Sequence, residues 1–207
     1  MALLAEHTNK CTAIPNPNHL LNRVNFMSRL QIPTIESSPA ASLPLLDAVK
    51  KQLGVVPNLM KLVGNSPAAL EGYLSLNDAL GKGSLGAKTG ERIALAIAEF
   101  NRCDYCLSAH TYLAMNVVKL DAAEINTNRK GFSGDAKADA AVRFAVSVAQ
   151  ARGHVSSDAV NAVKAVGFKD AEIIEIVLHV ALNTFTNYVN SVAQTEIDFP
   201  VVNAFAK

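Results

Sequence analysis

Between Glu91 and His110 the chain reads E-R-I-A-L-A-I-A-E-F-N-R-C-D-Y-C-L-S-A-H. Cys106 stands three residues after Cys103, His110 four after Cys106, and Glu91 twelve before Cys103. Positions three or four apart share a helix face, so a helix here sets two sulfurs and an imidazole side by side. A dithiol beside a base suits redox chemistry: a thiolate attacks, the base moves the proton, and the second thiol closes a disulfide. A cysteine near a helix start also meets unpaired backbone N–H groups and the positive end of the dipole, both of which favour thiolate. Asn101 reads as the N-cap of that helix, and Arg102 adds positive charge. Glu91 reaches the site only through the fold, where it orients His110 or relays protons.

Three other readings of the pair compete. C-x2-C-x3-H offers three zinc ligands, but Cys11 is isolated and His154 and His179 have no paired partner, so no fourth ligand stands out. A catalytic zinc with two cysteines and one histidine stays open. A thioredoxin fold requires a strand before C-x-x-C, and strand signals are almost absent. Two cysteines also pack well as small apolar groups, although the joint placement with His110 and Glu91 argues against coincidence. The expectation is no bound metal and no cofactor.

The elements that must position these residues read as helices. Half of the 207 residues are hydrophobic and 18% are charged, enough apolar material for a sizeable core. The net charge of +1 gives no field for nucleic acid or an anionic membrane. Three cysteines do not make a disulfide framework. Met1–Ala5 is interrupted by Glu6, His7 and Asn9 before it can form a secretory core, and no apolar run reaches spanning length. The expected setting is cytoplasmic, where free thiols survive.

Residues 1–41 form the first expected unit, an extended arm broken by Pro15, Pro17, Pro33 and Pro39. Its apolar residues Val24, Phe26, Met27, Leu30 and Ile32 pack on the body or on a neighbouring subunit. Residues 42–207 form the second, an all-α domain. Leu45, Leu46, Val49 and Leu53 mark a helix ended by Gly54, and Asn58 caps a short one. Ser66-Pro67 opens another. Further helices run near 87–101, 104–118, 120–126, 135–152, 156–167 and 170–195, with Asp121 and Asp170 as caps.

The pattern E-x11-C-x2-C-x3-H, with L-G-V-V-P-N-L-M at 53–60, S-P-A-A-L-E-G-Y at 66–73 and A-L-N-T-F-T-N-Y-V-N at 181–190, resembles the AhpD-like alkylhydroperoxidases of the carboxymuconolactone decarboxylase superfamily, in particular the peroxidase-related branch. The resemblance spans about residues 42–200. It implies an AhpD-like helical bundle that assembles as a trimer or hexamer. It implies a thiol peroxidase that reduces organic hydroperoxides, with Cys106 attacking, Cys103 resolving and His110 with Glu91 as the proton relay. An external dithiol or protein reductant then closes the cycle. A redox sensor or thiol–disulfide exchange protein on the same scaffold is the alternative. Three positions depart from the family pattern: Arg102 stands where glycine is frequent, Tyr105 where the best-known branch has histidine, and Gly90 beside Glu91 weakens a helix end.

Other candidates are less marked. Tyr105, His179 and Asn183 are read as pocket-lining residues. For His179 the competing role is a satisfied core histidine, for Asn183 with Asn187 and Asn190 interhelical hydrogen bonding, and for Tyr105 and Tyr112 exposure to solvent. The Arg129-Lys130 pair reads as solvated.

Overall fold

The computed structural model describes residues 28–206. The expectations for Cys11 and for the arm before residue 28, with Pro15, Pro17, Val24, Phe26 and Met27, lie outside the described residues. A 3-10 turn at Ala40–Ser42 leads into nine α-helices among the described residues: α1 (Leu43–Leu53), α2 (Asn58–Val63), α3 (Pro67–Gly81), α4 (Gly86–Phe100), α5 (Asp104–Asn116), α6 (Ala122–Arg129), α7 (Ala136–Gln150), α8 (Ser157–Ala165) and α9 (Asp170–Ala193). The described residues contain no strand.

Local chemistry sets most of these boundaries. Gly54 takes φ +79°, the left-handed cap that stops α1. Ser66, Asp121, Asp135 and Ser156 each accept a backbone N–H at the start of α3, α6, α7 and α8. Two expected caps are corrected. Asn58 is the first helical residue of α2, and its N–H is capped at 2.7 Å by the carboxylate of Asp198, 140 positions on. Asp170 likewise lies inside α9: Lys169 is the N-cap, and Glu172 reaches back to its N–H at 2.8 Å.

Helix α4 is the axle of the bundle, packed against α5, α6, α7 and α9. Its small residues Ala94, Ala96 and Ala98 permit close approach, and Ile93, Leu95 and Ile97 fill the gaps; all six are buried. The start of α4 is held by α9, where Glu175 accepts the N–H groups of Ser84 and Leu85. One apolar cluster joins Ile93 and Ile97 to Phe144, Val163, Ile176 and Val180. The second joins α1–α3 to the start of α5, and Cys103, Tyr105, Cys106 and Leu107 belong to it. The dithiol is thus built into a core wall.

Two chain segments without helix lie across this bundle. The described part of the arm runs by the end of α9, where Ser28 and Arg29 both donate to the Ala193 carbonyl. Beyond α9, residues 196–206 cross α5 and are pinned along their length. Asp198 accepts the Tyr105 hydroxyl at 2.8 Å, Val202 N donates to Ser108 Oγ at 2.9 Å, Ala204 N to Asp104 Oδ1 at 2.8 Å, and Phe205 N to Glu99 Oε1 at 2.7 Å. Arg129 completes the tie. Its guanidinium bonds Glu99 at 2.8 Å and the Asn203 carbonyl at 2.7 Å, and lies 4.0 Å from the Phe205 ring centre. It is far from solvated, because Glu99 and the tail come from parts of the chain distant in sequence. Among the described residues no helix is long and apolar enough to cross a membrane.

Candidate active site

The turn from α4 into α5 creates the site. Asn101 ends α4, correcting its expected N-cap role, and Cys103 takes that role itself: its sulfur accepts the Cys106 N–H at 3.2 Å. Between them Arg102 has φ +55°. This left-handed conformation costs a side-chain-bearing residue roughly 1–2 kcal/mol, which accounts for the pull toward glycine here. Arg102 is held by donating to the Phe205 carbonyl at 3.1 Å.

Cys103 and Cys106 are bonded to each other, with Cα atoms 5.2 Å apart. Both are nearly enclosed, at 3% and 2% exposure. Beneath them Asn190 of α9 donates from Nδ2 to Cys106 Sγ at 3.3 Å. The neighbouring Asn187 accepts from Asn101 at 2.9 Å. Asn190 is therefore a site residue. The A-L-N-T-F-T-N-Y-V-N stripe signalled it in the sequence, but nothing there tied it to a sulfur.

One turn after Cys106, His110 Nδ1 meets Glu91 Oε2 at 2.9 Å. A carboxylate can only accept, so Nδ1 carries the proton and Nε2 is left as the acceptor. This couple opens into a cavity of about 200 Å³ lined also by Tyr73, Asn77, His179 and Asn183. Burial pushes the His179 imidazole below its ordinary value, against the opposing pull of Glu175 and Glu91. Burial and then the Glu91 charge push the Tyr73 phenol up to about 12. Gly90, expected only to loosen the end of α4, lies within it and is buried. A Cβ at that position would come 2.9 Å from His179 Cε1, so glycine lets the ring lie against α4.

Tyr105 lies elsewhere. Its ring packs edge-on to Phe199, and its hydroxyl accepts from Leu59 N at 3.0 Å while donating to Asp198. Burial raises this phenol far above its usual range. Tyr105 joins α2, α5 and the tail, and lines a separate cleft of about 400 Å³ on the Cys103 side. His179 and Asn183 line the cavity with Glu91 and His110; Tyr105 does not. Among the described residues no three or more His, Cys, Asp or Glu side chains gather as a metal site.

Fold and site together define an all-helical protein that sets a redox-capable cysteine pair at a helix start, beside a glutamate–histidine couple. Residues 67–147 match the carboxymuconolactone decarboxylase family, a segment that holds Glu91, Cys103, Cys106 and His110. Similar solved structures include an uncharacterized peroxidase-related protein from Silicibacter sp. TM1040, 21% identical with TM-score 0.74, covering 85% of this chain and 94% of that one. A second is described as an alkylhydroperoxidase AhpD core, an uncharacterized peroxidase-related protein from Ralstonia eutropha JMP134. It is also 21% identical at TM-score 0.74, covering 83% and 93%. The debrominase Bmp8 in complex with 2,3,4-tribromopyrrole is similar at 17% identity and TM-score 0.63, covering 84% and 91%. An uncharacterized protein from Haemophilus influenzae is 43% identical over 63 residues, which span 30% of this chain and only 50% of that relative's length. The family match is confined to residues 67–147, and the AhpD-like solved structures share the fold of this chain.

Proposed function

We propose that this protein is a dithiol peroxidase that reduces organic hydroperoxides. The observation that carries the reading is the bonded Cys103–Cys106 pair at the start of α5, with the hydrogen-bonded His110–Glu91 couple one turn on. In the reduced protein the Cys106 thiolate attacks the distal peroxide oxygen. The O–O bond breaks, and the departing alkoxide takes the proton that His110 Nε2 accepted from the Cys106 thiol, with Glu91 orienting the ring. Cys106 is left as sulfenic acid, and the Cys103 thiol condenses with it, releasing water and forming the disulfide. The short reach between the two cysteines favours this closure over further oxidation. An external dithiol then restores both thiols.

Assembly as a trimer or hexamer goes with this reading. Ile174, Val177, Phe185, Tyr188 and Val192 are exposed along α9 at spacings that make one apolar stripe, a surface suited to a second copy. The division into an arm at 1–41 and a helical domain at 42–207, and a cytoplasmic setting that supplies reductant, belong to the same proposal.

The test is steady-state hydroperoxide consumption with a dithiol reductant. Wild type sustains it, Cys106→Ser loses it by at least ~10³-fold, and Cys103→Ser gives one stoichiometric reduction without recycling. Rapid disulfide formation without sustained consumption would instead make the protein a redox sensor. Full turnover by Cys106→Ser would reverse the cysteine roles.

A further inference from the structure

Two separate cavities are lined by residues of the site, and the two sulfurs are not equivalent toward them. One holds Glu91, His110 and His179. The other, the larger cleft, is bounded by the end of α9, the α4–α5 turn and the start of the tail. Cys103 lines it, together with Arg102, Asn190, Ser191 and Glu196. No residue lines both cavities. Cys106 lines neither, and its sulfur is instead held by the Asn190 amide.

We propose that the Cys103 cleft is the reductant site: a slender dithiol enters there and attacks Cys103 Sγ, while the hydroperoxide uses the Glu91–His110 cavity. This rests on the dithiol cycle proposed above. The reductant thiolate bonds to Cys103 Sγ as the Cys103–Cys106 bond breaks, and the electron pair leaves on Cys106 Sγ. The Asn190 N–H already directed at that sulfur stabilises the departing thiolate. The second thiol of the reductant then attacks its own mixed-disulfide sulfur, releasing the Cys103 thiolate and a cyclic or bridged disulfide. The reductant is oxidised by two electrons and the protein reduced by two. Cys103 is 3% exposed in a cleft of about 400 Å³. That space admits a small molecule or a thin thiol-bearing arm, whereas a flat protein surface cannot bring its sulfur to the floor.

The two half-reactions are measured apart, so this proposal and the peroxidase reading fail separately. In the first arm, oxidised protein meets dithiothreitol with no peroxide present, and free thiols are counted against time. Ser191→Trp plugs the cleft from α9 and Glu196→Trp plugs it from the tail, both from exposed positions. Each should slow reduction at least tenfold. Asn77→Trp, which plugs the Glu91–His110 cavity from an exposed position, should leave reduction within twofold of wild type. In the second arm, pre-reduced protein meets a hydroperoxide, and the pattern should invert. A third arm locates the attack. With 4,4′-dithiodipyridine, reduced Cys106→Ser should form its mixed disulfide at Cys103 at least tenfold faster than reduced Cys103→Ser does at Cys106. Unchanged reduction in both cleft variants, equal slowing by Asn77→Trp, or faster labelling at Cys106 would each overturn the proposal.

Discussion

The two halves of α9 are built to different ends. Its first half buries Ile176 and Val180 against Ile93, Phe144 and Val163, an apolar contact of the kind that stabilises any helical bundle. Its second half buries Asn183, Thr186, Asn187 and Asn190 instead. Asn187 Nδ2 and Asn190 Oδ1 find no hydrogen-bond partner among the described residues. Half-satisfied buried amides do not favour folding. What they supply is local: a donor on Cys106 Sγ, a link to Asn101 at the α4–α5 turn, and a polar wall for the Glu91–His110 cavity. One helix thus carries stability at one end and chemistry at the other, and the exchange from aliphatic to amide side chains falls within a single turn.

Substitutions in each half should therefore separate stability from reactivity. The largest effect belongs to Ile176→Ala, which empties a fully buried site and should cost about 2–5 kcal/mol in urea unfolding. Its rate of disulfide formation with hydroperoxide, measured where the protein is folded, should match wild type. Next is Glu91→Gln, which removes the carboxylate holding His110. It should slow hydroperoxide-driven disulfide formation by roughly 10²-fold and leave the unfolding midpoint little changed. Comparable loss in Ile176→Ala would erase the contrast between the halves.

Smaller effects sharpen the same contrast. Asn190→Leu replaces an incompletely bonded amide by an apolar side chain of similar size, so stability should stay within about 1 kcal/mol of wild type. The Cys106 thiol should titrate at higher pH once its donor is gone, followed by thiolate absorbance in reduced Cys103→Ser backgrounds with and without the change. Smallest are two pH effects on urea midpoints. The His179 imidazole is held below its ordinary 6.5, so the unfolded chain binds the proton first. Stability should be intact above pH 6.5, decline below it, and level off once the folded His179 is itself protonated. Glu124 sits outside the site. Burial opposes its ionisation, but hydrogen bonds from Ser133, Asn128, Gly134 and Arg92 outweigh it and bring its carboxyl to about 2. Its contribution should be full above pH 4.5 and fade toward pH 2, and Glu124→Gln should flatten that window.

What the sequence made legible was local. Cys103, Cys106 and His110 could be placed together because they share a short stretch of one helix, and 3.6-residue periodicity fixes their relative directions. Ser66 and Asp121 were legible as caps for the same reason: each bonds a group three residues away. Most of the failures are non-local. Asn58 is capped by Asp198, Arg129 is neutralised by Glu99 and covered by Phe205, and Gly90 is explained by His179 from another helix. Asn101 was misplaced by two residues because a sulfur, not an amide, caps α5. Periodicity carries no information about partners 30 to 140 positions away, and one of them, His179, lines the Glu91–His110 cavity.

Laying residues 196–206 across α5 has a consequence during synthesis. Phe205 leaves the ribosome 99 residues after Cys106. At about 5–20 residues per second, that delay lasts roughly 5–20 seconds. For most of that interval the nascent thiols lack the α9 amide, and for all of it the finished packing of the tail on α5. The growing chain is then more open to stray oxidants and to pairing with foreign thiols than the finished protein.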